Sequence, residues 1–207
     1  MKRVLIVIFL CNCTRHSIAQ NDKPKFGENH FIYVTVQLNS GNYNFPGAMG
    51  SVEYVYKNKY SVKVSDSFYN SRPKNNPNNH RPYDYRFDPI EQFGSGELLL
   101  GKVYVLSNAG TIRANLSAGI GFSTFRKAVY ERWSFAANNY LWHYEYKHSI
   151  TFIINPKIEF MFTRVVGVTF SPVLNINNQK VYFGAGTGIM YGLLRAKKSH
   201  YNAKTRD

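Results

Sequence analysis

The feature that most constrains this chain is a stretch of strict alternation between residues 110 and 125. Apolar residues take every second position, and polar or very small residues lie between them; the apolar set is Ile112, Ala114, Leu116, Ala118, Ile120 and Phe122. Side chains at i and i+2 of a β-strand share one face, so the pattern predicts a strand with one apolar face. At about 3.3 Å per residue and a tilt near 40°, its roughly 11 residues climb about 28 Å, enough to cross a membrane.

The N-terminus has the features of a secretory signal peptide. Lys2 and Arg3 precede an apolar run over residues 4–10, and small residues at Ser17 and Ala19 suit cleavage before Gln20. Residues 1–19 are therefore predicted to be removed. Both cysteines of the chain lie in this segment, so the mature protein is expected to have neither a disulfide framework nor a thiolate metal site.

The charge of the chain is strongly positive. The net charge is +14, and removal of a signal with three basic residues and no acid leaves +11. An exported basic protein is expected to face an anionic surface, and lipid A phosphates of lipopolysaccharide or acidic glycans are favoured over nucleic acid as partners. The alternative is that the charge only keeps loops and tail soluble.

Alternation recurs along most of the chain, which predicts about eight strands and no convincing helix. The other strand segments are residues 30–39, 48–56, 60–69, 96–106, 148–162, 166–174 and 180–194. The facing of 96–106 is left open, because Leu98, Leu99 and Leu100 are apolar on both faces. Asp66 falls on the apolar face of its strand, which predicts either a position near the rim or a β-bulge.

The links between these strands alternate between short and long. Residues 57–59, 107–110 and the region of Arg164 are short turns, whereas 70–95 and 126–147 are long. This asymmetry is typical of outer-membrane barrels, whose long loops are extracellular. The sequence therefore predicts an all-β fold: an eight-stranded antiparallel up-and-down transmembrane β-barrel over residues 20–195, followed by a basic tail over 196–207.

This pattern resembles the small eight-stranded outer-membrane barrels of the OmpX and OmpA transmembrane-domain type. The last strand, with Gly188-Ile-Met-Tyr191-Gly-Leu193, is similar to the final strand of those barrels, and the Tyr- and Asn-rich composition is similar to their Bacteroidetes versions. The resemblance implies a Gram-negative outer-membrane location, no open pore and no cofactor. It also implies a structural, adhesion or ligand-binding role, or an accessory role in an envelope complex, through the two long loops.

Two rival interpretations remain at this stage. A soluble lipocalin-like barrel would turn the apolar face inward, but the polar face is rich in Gly and Ser, which suits a narrow interior. In the transmembrane barrel, this polar face lines the interior, and its five charged residues are predicted to pair there: Glu53, Lys63, Arg113, Lys157 and Glu159. A lipid A-modifying enzyme would need a Ser–His pair near the outer rim. The one adjacent pair, His148 and Ser149, points to opposite faces of its strand.

The candidate binding residues lie mostly in the long segments. Those proposed to bind lipid phosphates are Arg72, Lys74, Arg81, Arg86, Arg126, Lys127 and Arg132. Residues 142–148 keep the alternation of the strand that follows, which predicts a hairpin extending past the bilayer, and an interfacial aromatic girdle is predicted at Trp142, Tyr144, Tyr146 and Tyr191. This interpretation is preferred over a metal site at His143, Glu145 and His148. Pro156 and Pro172 are predicted to lie opposite each other at a shared bulge or kink.

Overall fold

Eight antiparallel strands close into one barrel in sequence order. The computed structural model describes residues 30–42, 46–73, 89–134, 139–179 and 181–195. Each strand pairs with the next, and the last pairs with the first. The strands are β1 His30–Gly41, β2 Gly47–Tyr56, β3 Tyr60–Ser71, β4 Glu91–Val105, β5 Ile112–Ser134, β6 Asn139–Met161, β7 Val166–Ile176 and β8 Val181–Leu193. The predicted fold class, an eight-stranded antiparallel up-and-down barrel, is confirmed. No helix in the described ranges is long and apolar enough to cross a membrane.

The strands are strongly tilted relative to the barrel axis. A path at right angles to the strands, followed from Ile32 through the register of all eight, returns to the chain at Asn42, directly after β1 and ten residues further along. A stagger of this size in a ring of eight strands corresponds to a tilt of roughly 40° and a narrow interior filled by side chains.

Alternation in the sequence becomes alternation between inside and outside. In β1, Tyr33, Thr35 and Gln37 are buried, whereas Val34 and Val36 between them are exposed. The facing of β4 is also resolved, since Leu99 is fully buried and its neighbours Leu98 and Leu100 are half exposed or more. The apolar face therefore points outward around the ring, and the polar face points inward.

The interior contains two apolar clusters separated by a polar middle. One cluster lies at the end with the short turns, here called the short-turn end: Phe31, Tyr33, Val55, Val103, Met161, Met190 and Leu194. The other lies toward the opposite rim, here called the hairpin end: Tyr69, Phe93, Leu99, Ile153, Val173 and Tyr182. At the short-turn end, Lys57 and Asn58 both have positive φ, the geometry of a type I′ hairpin turn between β2 and β3.

The segment 126–147, expected as a long link between strands, is largely a β-hairpin, which confirms the extension predicted from the parity of residues 142–148. β5 and β6 each have 23 residues and pair with each other as far as Ser134 and Asn139, with one register shift between Tyr130 and Trp133. Residues 70–71 and 91–95 of the other expected loop also belong to strands. Side chains still alternate between the two faces of each strand in these regions. The outward positions are no longer consistently apolar, so the sequence pattern is harder to recognise there.

Two local irregularities differ from expectation. Asp66 needs no bulge and does not lie at the rim, because it pairs in unbroken register with Gly50 and Gly96 midway along β3. At the prolines, β6–β7 pairing is interrupted between Ile154↔Leu174 and Ile158↔Phe170 and resumes in the same register. The two prolines therefore open the ladder locally without an inserted residue, since proline has no N–H to donate.

Candidate functional site

All five charged residues expected inside the barrel are buried there. Glu159 accepts a hydrogen bond from Arg113 Nε at 2.8 Å. It also forms ion pairs with Arg113 Nη2 and Lys157 Nζ, each at 2.7 Å. Tyr33 donates its hydroxyl to the same carboxylate at 2.5 Å. The Glu159 carboxylate thus has several donors and cations around it, which is the condition under which a buried charge is tolerated.

The network continues across the barrel through Glu53. Lys157 also pairs with Glu53, whose other oxygen accepts from Asn115 Nδ2 at 2.5 Å. Lys63 donates to Asn155. These contacts join β2, β3, β5 and β6 through the middle of the interior. Their role in the fold is to cross-link opposite walls and to fill the centre between the apolar clusters.

Glu97 belongs to the same interior layer and was missed by the sequence analysis. It accepts from Ser65 at 2.8 Å and from Ser95 at 2.5 Å, and it is 5% exposed. In this middle layer three acids balance three bases, Glu53, Glu97 and Glu159 against Lys63, Arg113 and Lys157, while Glu91 is buried further along β4 toward the hairpin end. The signal existed in the sequence, but the run of three leucines beside Glu97 left the facing of β4 undecided.

The outer face changes character toward the hairpin end. Exposed apolar side chains such as Phe122 and Ile150 give way to a row across β3–β6 formed by Asn70, Gln92, Arg126 and Tyr146. Gln92 donates to Asn70 at 3.3 Å. Just below this row, Thr124 and His148 are bonded at 3.0 Å.

Arg126 is the cation in this row of the outer face. Its guanidinium lies over the ring of Tyr144, 4.5 Å from the centroid. Such stacking fixes the orientation of an arginine while leaving its N–H groups available. Its Nε has no hydrogen-bond partner although it is shielded from solvent. The Tyr144 hydroxyl accepts from the Ile90 amide at 3.5 Å, which ties the ring to the start of β4.

The opposite face of the hairpin carries a different set of charges. Lys127 is registered with Glu145, and His143 bonds Glu131 at 2.8 Å, with both side chains half exposed. Arg126 and Lys127, which the sequence grouped together, therefore lie on opposite faces of the hairpin. Only Arg126 belongs to the face that continues the apolar exterior.

The remaining candidates are placed as follows. Arg72 is exposed just beyond β3, in the row of Ile90, Ala128 and Tyr144. Lys74, Arg81 and Arg86 lie outside the described residues, as does the side chain of Arg132. Tyr146 is at the level where the apolar exterior ends; Tyr144 and Trp142 lie further out along the hairpin, and Tyr191 is at the short-turn end.

The residues considered for metal binding and catalysis are not brought together. His148 bonds Thr124, whereas Ser149 bonds Ser123 at 2.8 Å on the other face. Within the described ranges, no group of three His, Cys, Asp or Glu side chains is placed to hold a metal ion.

No protein-family model matches this sequence, and no curated protein matches it. The solved structures do offer matches. The N-terminal β-barrel domain of OprF from Pseudomonas aeruginosa matches with a TM-score of 0.51 and 14% identity, covering 81% of this chain and 99% of that one. The chain has the fold of a small eight-stranded β-barrel.

Two further barrels are similar at lower scores. Ail, the attachment invasion locus protein of Yersinia pestis, matches with a TM-score of 0.45 and 10% identity over 79% of this chain and 96% of its own. Neisserial surface protein A matches with a TM-score of 0.43 and 12% identity over 80% and 96%. At such identities, the likeness concerns the fold alone.

Proposed function

We propose that this chain is an integral outer-membrane β-barrel with a structural or adhesion role and no catalytic activity. The observation that carries the proposal is the inverted distribution of polarity. Phe122 is 79% exposed and Ile150 68%, whereas Glu159 and Glu53 are fully buried. A soluble barrel would reverse this pattern, while a bilayer requires it. The short turns would then face the periplasm, and the β5–β6 hairpin would project outside.

The first test is fractionation of cells that express the full chain. We expect the protein in the outer membrane, with a band that migrates differently on a gel before and after boiling, because closed membrane barrels resist unfolding by detergent. A soluble periplasmic product, or a membrane product without this shift, would contradict the proposal. The affiliation with Bacteroidetes stays a prediction from composition.

A lipid-phosphate site at the outer rim is the finer part of the proposal. Arg126 lies where the apolar exterior ends, its guanidinium is held by Tyr144, and its Nε lacks a partner. Phosphates of lipopolysaccharide would lie at this level, and arginine binds phosphate through paired N–H groups. Arg72 lies one row further out, two strands away.

This part is tested by binding of purified lipid A to the refolded barrel. We expect Arg126→Gln to weaken binding roughly fivefold, the effect of losing a charge-assisted hydrogen bond near water. Lys127→Gln is the matched control, since it removes the same charge from the opposite face of the hairpin. Equal losses in the two variants would indicate a diffuse charge effect and contradict a site at Arg126.

A further inference from the structure

Asp66 is an acid on the face that would meet lipid. It is exposed and points outward from the middle of β3, about 15 Å along the barrel axis from Tyr60 and from Arg72. It forms no hydrogen bond or ion pair with any residue that the structure describes. A lone carboxylate near the centre of an apolar band some 25 Å tall is costly and usually serves a function.

The neighbours of Asp66 leave it uncovered. Its register partners on both sides are glycines, Gly50 and Gly96, and Gly94 follows next on β4. A Cβ built on Gly50 or Gly96 would meet nothing within 4 Å, so barrel packing does not require a glycine at either position. On the inner face the opposite holds: at Gly121 a Cβ would come within 2.5 Å of the Gly96 carbonyl oxygen.

Small residues on a lipid-facing surface let another backbone approach closely, and a polar side chain among them can then bond to the partner. We propose that the outer face of β2–β4 around Asp66 is a lateral docking surface for a membrane-embedded segment of another protein, which brings a Lys or Arg side chain to the Asp66 carboxylate. This inference rests on the membrane location proposed above and adds a partner to it.

The chemistry disfavours other occupants. A second copy related by rotation about the membrane normal would bring Asp66 against Asp66, which are like charges. Among the described residues, the outward-facing cation on neighbouring β4 is Lys102, six residues closer to the short-turn end than Gly96 and thus at a different depth. Lipid ammonium groups lie at the headgroups, roughly 15 Å from Asp66.

Photo-crosslinking in cells of the source organism tests the proposal. In the test protein, a benzophenone amino acid replaces Leu98, which is 50% exposed and lies beside the glycines. In the control protein it replaces Ile189, which is 64% exposed on the opposite wall. Each is combined with Asp66→Asn or Asp66→Glu. The adduct is then mapped by mass spectrometry to the cross-linked peptide.

We expect an adduct from position 98 and not from position 189, on a membrane segment that carries a Lys or Arg near the cross-linked residue. Its yield should fall roughly tenfold in Asp66→Asn and persist in Asp66→Glu. Gly96→Leu should also lower the yield, whereas Ala118→Leu on β5 should not.

Three results would overturn the inference: an adduct whose yield is unchanged in Asp66→Asn, an adduct only with lipid, or an adduct with a second copy of the chain. Absence of any adduct from a heat-modifiable barrel in the outer membrane would also overturn it. That case is distinct from failure of the proposed function, in which the unmodified chain itself would show no heat-modifiable band there.

Discussion

Two walls of the barrel exterior differ although one row of residues crosses both. On β5 and β6 this row presents Phe122 and Ile150, which are large, apolar and highly exposed. On β3 and β4 the same row presents Asp66 and Gly96. The first wall has what a bilayer demands. The second wall has an acid and small residues that neither the bilayer nor the barrel packing requires, which is why we assign a partner to it.

The largest expected effect separates inner from outer glycines. Gly121→Leu should abolish the heat-modifiable band, because its Cβ would collide with the backbone of β4. Gly96→Leu adds the same side chain on the neighbouring strand but into open space, and the band should persist. Loss of the band in both variants would show that the β2–β4 wall is needed for folding itself.

A smaller effect separates inner from outer acids. Glu159→Gln leaves Arg113 and Lys157 without their shared carboxylate and should lower the free energy of unfolding by about 3 kcal/mol. Urea titration of the barrel in vesicles measures this. The control, Glu131→Gln, removes an acid from a half-exposed pair and should cost at most about 0.5 kcal/mol.

Replacement of the outer acid should have the opposite sign. In vesicles without a partner, Asp66→Leu should raise the free energy of unfolding by about 1 kcal/mol, because it removes a charge from the lipid-facing surface. Phe122→Asp, the reciprocal change on the other wall, should lower it by about 2 kcal/mol. A destabilising Asp66→Leu would show that the carboxylate supports the fold, and the contrast between the walls would lose its meaning.

The smallest effect is expected from shortening the hairpin. The described residues of this segment, 128–134 and 139–144, pair only within β5 and β6, beyond the apolar exterior. Replacing 128–144 by a two-residue turn between Lys127 and Glu145 should therefore leave the heat-modifiable band unchanged. The same deletion should reduce lipid A binding, since it removes Tyr144 from beneath Arg126. Loss of the band would mean that the hairpin is part of the folding unit.

The fold was predictable because, along most strands, outward-facing apolar residues alternate with inward-facing polar or small residues. Alternation from Ile112 to Phe122 predicted a strand and the residues that share each of its faces, and six other strands followed in the same way. The Gly- and Ser-rich polar face then favoured an inward position for the polar side chains. Where both faces are apolar, as at Leu98 to Leu100, periodicity carries no information, and the buried Glu97 was missed for that reason.

The candidate site was less predictable, for two physical reasons. Arg126 and Lys127 are adjacent in sequence, and a strand sends adjacent side chains to opposite faces, so grouping them by charge could not be right once 126–134 became a strand. Asp66 was recognised as out of pattern, but what gives it meaning is the pair of glycines across the register. Register between strands distant in sequence requires the folded barrel.

The central claim is that the apolar face of the barrel meets lipid. The chain has two tryptophans, Trp133 and Trp142, and both lie in the hairpin. One single-tryptophan protein carries Phe122→Trp with both natural tryptophans replaced by Phe, and the other keeps only Trp142. Each is placed in vesicles whose lipids are brominated along the acyl chains. We predict strong quenching of the indole at position 122 and little quenching of Trp142. An indole at position 122 that bromine does not quench would contradict the account.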